Sequence, residues 1–176
     1  ATHGTPRWAR LLSQVAAMGM KVEPGEGREE IIGSYEGAYF QLSRNLDLGG
    51  MEWNPIGYYQ DSSEFSGKIS HPFCGHFDGN GKTVSNFRLT HSTYPGIGFF
   101  GAVENGTVEH LTLRPGTTVT GAEQVGILAG SAVNSRIADC TVEGDLRASG
   151  SVGGIVGQLE GDSRADSVIE NCTARV

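Results

Sequence analysis

The segment Asp78-Gly79-Asn80-Gly81 carries residue types that bind a hard cation. Asp78 and Asn80 offer side-chain oxygens two positions apart, as in one part of a calcium-binding loop. The other acidic positions of such a loop are missing from the sequence around them. A tight turn with positive φ at the glycines explains the same residues. We therefore predict a turn here, and keep Asp78 and Asn80 as weak candidate metal ligands.

Other chemically active residues lack the spacing that catalysis or metal binding needs. The five histidines show no metal-ligand spacing, and the sequence has no Cys-x-x-Cys, His-Glu-x-x-His or Gly-x-Ser-x-Gly motif. Glycoside cleavage needs carboxylates grouped on one face, whereas aligning the repeats places Ser85 and Ala138 in the column of Glu109 and Glu170. We expect no catalytic residue, no metal centre and no cofactor, with an enzyme site in the loop 58–76 as the alternative.

Three aromatic residues are the candidates for ligand binding. Trp53, Tyr58 and Tyr59 fall in or beside predicted loops, and exposed rings can stack on sugars or anchor a protein partner. We expect Trp53 to pack in the first coil and keep it as a weaker binding candidate. We predict Tyr58 and Tyr59 as the binding pair.

The cysteines do not form a full disulfide framework, since there are three of them, Cys74, Cys140 and Cys172. Cys140 and Cys172 occupy equivalent positions in the repeat, so a disulfide between them is possible in principle. Inward-facing cysteines more often act as small hydrophobic residues. We expect Cys140 and Cys172 to be free thiols.

An internal repeat organises the second half of the chain. Its clearest unit is Gly-hydrophobic-hydrophobic-Gly, and the closing glycines are Gly101, Gly130 and Gly157, which are 29 and 27 residues apart. Each unit is followed by a second apolar element, starting at Val108, Ile137 and Ile169. A fainter copy of the second element starts at Val84, 24 residues before Val108. The repeat units are therefore expected at about 96–121, 122–150 and 151–176.

Short strands without intervening helices at this period predict an all-β fold, a parallel β-helix in which each unit stacks on the next. The column Asn86, His110, Asp139 and Asn171 precedes an inward apolar residue in each unit. Asn, Asp and His are the non-glycine residues most enriched at positive φ. We predict left-handed bends at these four residues, with a ligand-binding polar ladder as the alternative.

The N-terminal region is predicted to cap this solenoid. Thr5 is a candidate N-cap with Pro6 at the first helical position, and apolar residues then follow at helical spacing until Gly19. A solenoid needs a capped end to stay soluble and to block strand-edge pairing. We therefore predict a cap with a short amphipathic helix over 1–38 and β-helix coils over 39–176, with the segment 58–76 as an irregular loop.

Composition excludes several classes of protein. Glycine accounts for 27 of 176 residues, about twice the usual share, which favours many tight corners. A net charge of −7 argues against a nucleic-acid partner, and no apolar run is long enough to span a bilayer. The chain opens at Ala1 and stops within a repeat, so we expect it to be a fragment of a longer protein.

Three phrases make the sequence resemble a known family. Trp53-Asn54-Pro55-Ile56-Gly57, the segment 75–84 and Val152-Gly153-Gly154-Ile155-Val156-Gly157 resemble bacterial surface proteins that carry the GLUG motif. The resemblance implies a right-handed parallel β-helix, export and cell-surface attachment. Similar repeats occur in adhesin-like proteins and in the non-catalytic region of immunoglobulin-A-cleaving metalloproteases. Their zinc-protease motif is absent from this sequence, so their peptidase activity is not implied.

Together these observations predict a non-enzymatic structural or adhesive module of a secreted or cell-surface bacterial protein. Its expected partners are host proteins or glycans, with cell-wall association through the parent protein. The alternatives are an accessory substrate-binding region of an immunoglobulin-A-type metalloprotease and a polysaccharide-active β-helix enzyme.

Overall fold

The computed structural model describes residues 20–23, 36–60, 69–90, 96–163 and 165–176. Within these ranges the protein contains strands and no helix, and none of it has the length and apolarity of a bilayer-spanning helix. The predicted capping helix between Thr5 and Gly19 lies outside the described residues. The strands are β1 Met20–Glu23, β2 Tyr39–Leu42, β3 Leu46–Glu52, β4 Tyr58–Gln60, β5 Ile69–His71, β6 His76–Arg88, β7 Gly96–Ile97, β8 Phe100–Glu104, β9 Thr107–Arg114, β10 Val119–Gly121, β11 Gln124–Gly126, β12 Ala129–Val133, β13 Arg136–Ala138, β14 Thr141–Glu143, β15 Leu146–Ala148, β16 Ser151–Gly153, β17 Val156–Glu160, β18 Val168–Glu170 and β19 Thr173–Arg175.

Strands from successive repeats pair in parallel and build a β-solenoid. His76 aligns with Thr107, Thr107 with Arg136, and Arg136 with Val168. The chain therefore completes three turns, over 76–106, 107–135 and 136–167, which we call coils 2, 3 and 4. Residues 168–176 begin coil 5. The predicted all-β parallel solenoid is confirmed. We call sheet A the wall built from β1, β2, β3, β6, β9, β13, β14, β18 and β19.

Coil 1 spans 39–75 and differs from the others because it contains an excursion. Ile56 bridges Phe100, and Phe73 bridges Val103 on the same strand of coil 2, so the path of the coil passes almost directly from Ile56 to Phe73. Between these two residues β4 pairs with β5 as an antiparallel hairpin. The prediction of an irregular loop over 58–76 is thus wrong at β4, at β5 and at the start of β6.

The N-terminal edge of sheet A is covered by a strand. β1 pairs antiparallel with β2, with Met20 opposite Leu42 and Glu23 opposite Tyr39. A parallel strand at a sheet edge would otherwise expose unpaired N–H and C=O groups, and an added antiparallel strand satisfies them. In the described residues β1 therefore blocks the β2 part of this edge, within the region that the sequence assigns to a cap.

The core is a set of apolar columns whose composition changes along the solenoid. One column is Phe77, Val108, Ile137 and Ile169, one residue per coil. Coils 1 and 2 bury a cluster of phenylalanines whose ring centroids lie 5.0–6.0 Å apart, namely Phe40, Phe73, Phe77, Phe87, Phe99 and Phe100. No phenylalanine, tyrosine or tryptophan follows Phe100 in the sequence, so coils 3 to 5 are packed with aliphatic residues, alanine and cysteine.

The repeat glycines lie where two segments of the solenoid touch through their backbones. Gly101, Gly130 and Gly157 share one column, as the register of β8, β12 and β17 shows. A Cβ on Gly130 would lie 2.6 Å from the Gly96 Cα and 2.6 Å from the Ile97 nitrogen. Such distances are far below van der Waals contact. The predicted structural glycines are therefore explained by close backbone approach.

The corner residues adopt the predicted left-handed conformation. Asn86, His110, Asp139 and Asn171 have φ values of 57°, 53°, 52° and 50°. His110, Asp139 and Asn171 form one column, but Asn86 does not belong to it. The register of β6 and β9 shifts between Asp78 and Lys82, so the residue opposite His110 lies in Gly79-Asn80-Gly81, where Asn80 has φ 52°. Asn86 bends a different corner, opposite the bulge that separates Asp47 from Met51.

Candidate functional site

The outer face of sheet A carries the largest group of titratable side chains that contact one another in the described residues. The register aligns Gln41 with Asp78, Asp78 with Glu109, Glu109 with Ala138, and Ala138 with Glu170. Two carboxylates therefore occupy the same column in successive coils. The alignment of the internal repeats places Ser85 in this column and predicts no grouped carboxylates. That prediction is wrong, because the fainter repeat copy starts at Phe77, 31 residues before Val108, and not at Val84.

Asp78 is the centre of this group and is almost fully buried. Its carboxylate accepts hydrogen bonds from the Tyr39 hydroxyl at 2.8 Å, the Gln41 amide at 3.1 Å and the Asn80 backbone N–H at 2.8 Å. Burial raises the pKa of Asp78. The hydrogen bonds from Asn80, Tyr39, Gln41 and His110 together lower the pKa by more than burial raises it, so the pKa lies below the ordinary value of 3.8. Asp78 is ionised near neutral pH and joins coils 1, 2 and 3.

Two histidines extend this network across the coils. The His110 ring lies between two carboxylates, with Nδ1 3.2 Å from Asp78 Oδ1 and Nε2 3.5 Å from Asp139 Oδ2. The Nε2 of His76 lies 2.6 Å from Glu109 Oε1. On its other side, Glu109 pairs with Arg136 of coil 4 at 3.4 Å. Each polar side chain thus has its partner in a neighbouring coil, which ties the outer face together along the solenoid axis.

Asp78, Glu109 and His110 each place one potential ligand atom within 4.8 Å of the others. Zn²⁺ binds such nitrogen and oxygen ligands at about 2.0–2.2 Å, so a cation would have to draw the three side chains together and replace the hydrogen bond between His110 and Asp78. The side-chain nitrogen of Asn80 donates to the Leu42 carbonyl at 3.2 Å. Of the two predicted candidate ligands, Asp78 belongs to the group, and a ligand role for Asn80 stays a prediction. The alignment of successive coils is the sequence signal that identifies the other two members of the group, Glu109 and His110.

The three aromatic residues predicted to bind a ligand lie in two different parts of the fold. The Trp53 side chain is 2% exposed and stacks on Phe99 with ring centroids 4.6 Å apart, while its Nε1–H donates to the Phe99 carbonyl at 2.9 Å. The expectation that Trp53 packs inside the fold is confirmed, and its buried ring is not available as the weaker binding candidate. Tyr58 and Tyr59 lie on β4, in the hairpin that leaves coil 1, and their binding role stays a prediction.

Cys140 and Cys172 lie in the same column on adjacent coils and are free thiols, as predicted. Each thiol donates to the carbonyl two residues earlier, Cys140 to Ala138 and Cys172 to Glu170, at 3.2 Å in both cases. The interaction of Cys140 with the Cys172 thiol, together with burial, raises the pKa of Cys140. The same interaction lowers the pKa of Cys172 to about 7. Cys172 is therefore the more readily ionised thiol.

Comparison with known proteins identifies one family motif and two relatives. The family profile "The GLUG motif" matches residues 148–176. The chain is similar to halomucin of Haloquadratum walsbyi, with 32% identity over 147 residues, and to a Gly-rich membrane protein of Evansella cellulosilytica, with 36% identity over 105 residues. These alignments cover 78% and 54% of this chain, but only 2% and 11% of the two relatives. No solved structure gives a significant match. The C-terminal part of the chain therefore carries a GLUG motif, which contains the strands β16–β19.

Proposed function

We propose that this chain is a non-enzymatic structural module of a bacterial surface protein, a solenoid segment that holds other parts of the protein away from the cell. The observation that carries this proposal is the in-register stacking of coils 2 to 4, joined by backbone pairing, by the glycine column and by the polar network on sheet A. Each coil adds about 4.8 Å of height, so added repeats lengthen the structure at constant width.

The names of the relatives support a surface location. One relative is named halomucin and the other is named as a membrane protein, and both are many times longer than the aligned region. A net charge of −7 disfavours binding to nucleic acid. We infer an extracellular, cell-surface location, no cofactor and attachment through the parent protein. We also infer right-handed coiling, since crossovers between parallel strands are right-handed in about 98% of cases.

The hairpin of β4 and β5 is the proposed adhesive element. It departs from coil 1 between two residues that contact the same strand, Ile56 and Phe73, so it is an addition that the stacking of coils does not require. Loops carried on a rigid scaffold are frequent binding sites. Its tyrosines, Tyr58 and Tyr59, suit contact with a host glycan or protein because each combines an apolar ring with a hydroxyl.

A binding array tests the adhesive part. Labelled protein would be applied to host glycans and extracellular-matrix proteins beside the double variant Tyr58→Ala/Tyr59→Ala. Arg147→Ala, at an exposed position of coil 4, is the matched control. We expect binding to at least one class of ligand, lost in the tyrosine variant and kept in the control. Absence of binding to every ligand would eliminate adhesion and leave the spacer role.

A second candidate is a polysaccharide-active enzyme, favoured by the carboxylates of Asp78 and Glu109 in adjacent coils. Incubation with a panel of acidic polysaccharides, followed by assay of new reducing ends, tests it. Turnover that Glu109→Gln abolishes would replace our proposal with this one.

An accessory region of a secreted immunoglobulin-A-type metalloprotease is the remaining alternative. It requires a His-Glu-x-x-His segment elsewhere in the parent protein, so sequencing the whole gene decides it.

A further inference from the structure

The corners of the solenoid place five asparagines in the left-handed conformation, with φ between 48° and 57°, namely Asn80, Asn86, Asn105, Asn134 and Asn171. Two of them begin an Asn-x-Thr pattern, in Asn105-Gly106-Thr107 and Asn171-Cys172-Thr173. Asn-x-Ser/Thr, with any residue but proline in the middle, is the acceptor pattern for N-linked sugars. The other three corners have lysine or arginine at the third position. The pattern therefore separates two corners from the rest.

Hydrogen bonding divides the same five asparagines in the same way. The Asn80 carboxamide donates to a backbone carbonyl at 3.2 Å, and the Asn86 carboxamide donates to a carboxylate at 3.0 Å. The Asn134 carboxamide oxygen accepts from a backbone N–H, also at 3.0 Å. Within the part of the chain that the structure describes, the exposed side chains of Asn105 and Asn171 make no hydrogen bond. A substituent on either side-chain nitrogen would therefore break no contact of the corner.

Asn105 and Asn134 are equivalent corners in successive coils and form a matched pair. Each donates its backbone N–H to a carbonyl of the next coil at 3.1 Å, and their φ values are 52° and 48°. The third residues of the two corners, Thr107 and Arg136, also face each other in the register. Positive φ explains an asparagine at both corners. The threonine and the unbonded carboxamide are what distinguish Asn105.

The exposure of Asn171 belongs to its column and does not depend on its place near the end of the chain. His110 and Asp139 precede it in that column, and their side chains are 46% and 42% exposed. Coils 3 and 4, which carry these two residues, have a neighbouring coil on each side. The side chains of this column therefore point away from the solenoid in each coil.

A surface depression of about 370 Å³ borders the Asn105 corner. Asn105 and Thr107 line one part of it, and Tyr39 and His76, whose ring centroids lie 4.7 Å apart, line another. The volume is within the range of small-molecule pockets, and the tyrosine combines an apolar ring with a hydroxyl. The first sugar of a glycan on Asn105 would therefore have space beside the coils.

We propose that Asn105 is an N-glycosylation site and that Asn171 is a second one. In the transfer, Nδ2 of the asparagine forms a bond to the anomeric carbon of a sugar diphosphate donor. The bond from that carbon to the diphosphate oxygen breaks, the diphosphate leaves with the electron pair, and the carboxamide gives one proton to a base of the transferring enzyme. A sugar nucleotide and a lipid-linked sugar diphosphate both supply this chemistry.

The main chain of the Asn105 segment is fixed in the folded corner. The Gly106 N–H donates to the Ser135 hydroxyl at 3.3 Å, and the Thr107 N–H donates to the Gly75 carbonyl at 3.0 Å. An enzyme that bends the acceptor segment around its active site must therefore act before the corner closes. The folded corner then only has to accommodate the sugar, which its free carboxamide and the adjacent depression allow.

The test is mass spectrometry of the parent protein isolated from the organism that produces it. Electron-transfer fragmentation of its peptides assigns each sugar to a residue. Three variants are placed in the chromosomal gene. Thr107→Val removes the hydroxyl from the pattern, Thr107→Ser keeps one, and Thr112→Val is the matched control on the same strand, outside either pattern. Far-UV circular dichroism confirms that each variant is folded.

We expect the mass of one or more sugar residues on Asn105 and Asn171 and none on Asn134. Thr107→Val should abolish the modification of Asn105 and leave that of Asn171, whereas Thr107→Ser and Thr112→Val should leave both. Analysis of newly made chains identifies the donor. Modified chains in the cytosol indicate a sugar nucleotide, and modification only after export indicates a lipid-linked sugar diphosphate.

Unmodified Asn105 in the protein from its own organism would overturn the proposal. Modification of Asn105 that persists in Thr107→Val, or equal modification of Asn134, would overturn it as well, because the reaction would then not depend on the pattern. None of these outcomes bears on the proposed structural function, which does not require a sugar at either corner.

Discussion

Gly130→Ala tests whether the glycine column sets the width of the solenoid. The φ of Gly130 is not positive, so alanine can adopt its backbone conformation and the effect of the change is steric. The added methyl group would meet three backbone atoms of Gly96 and Ile97 at 2.6–2.7 Å, against about 3.5–4.0 Å for ordinary carbon contacts. Backbone atoms cannot rotate away as the end of a side chain can. The two segments must therefore separate by about 1 Å.

The expected loss of stability follows from these contacts. Overpacking costs about 1–3 kcal/mol, and the upper end applies here because all three contacts are with backbone. Alanine offsets about 0.4–1 kcal/mol by restricting the unfolded chain. The net loss is then about 2–2.6 kcal/mol, which lowers Tm by roughly 4–10 °C for a protein of this size. Far-UV circular dichroism during urea and thermal unfolding measures it.

Gly144→Ala is the matched control within the same chain. A methyl group there would lie 3.4 Å from the ends of the Ile127 and Pro115 side chains, and its φ is also not positive. We expect a change within about 0.5 kcal/mol. If the two alanine variants unfold within about 0.5 kcal/mol of each other, close backbone approach is not the reason for the repeat glycines.

Four further predictions concern the corners, the polar network and the thiols. Asn105→Ala should cost about 1 kcal/mol in urea unfolding and Asn105→Gly almost nothing, because φ is 52° there; equal losses would contradict this. The lowered pKa of Asp78 means that its stabilising contribution is present above the ordinary value of 3.8 and is lost as pH falls through the folded pKa. Asp78→Asn should therefore lose about 1.5–3 kcal/mol at pH 7 and show a weaker loss between pH 4 and 2; an unchanged acid profile would contradict it. Because Asp78 already accepts hydrogen bonds from four groups, we expect no stoichiometric Zn²⁺ binding by calorimetry; an isotherm that His110→Ala removes would show the opposite. Cys172 should react with iodoacetamide near pH 7.5 and Cys140 only after unfolding, since the pKa of Cys172 is lowered to about 7 and Cys140 is buried; peptide mass spectrometry reads this, and faster alkylation of Cys140 would refute it.

The second half of the fold was predictable from sequence because its repeats contain few insertions. Gly101, Gly130 and Gly157 mark one column by spacing alone, and a residue type enriched at positive φ marks the corners. The insertion that lengthens coil 4 is polar and falls between β17 and β18, so the repeats on either side of it can still be aligned.

The alignment of β6 with its neighbours β3 and β9 was not predictable in the same way, because β6 contains two bends. Three residues, Gly79 to Gly81, oppose the single residue His110, and a bulge changes the count of residues without changing the apolar pattern. Asn86 then offered a plausible but wrong match for His110. The contacts of Asp78 with Tyr39 and His110 depend on that register, so the polar network could not be found. The packing of Trp53 was expected, but its partner Phe99 lies 46 residues away in the sequence, and no local pattern identifies it.

The uneven distribution of aromatic side chains has a consequence for how the protein reaches its native state. All phenylalanines precede Thr107, and six of them pack together in coils 1 and 2. In a solenoid each coil is stabilised by its neighbours, and folding can start wherever local stability is greatest and then spread. We expect the aromatic coils to be that place, because they bury the largest side chains. They are also synthesised before the aliphatic coils, so a nascent chain would acquire a folded template first, and later coils would add to it one at a time in the order in which they emerge.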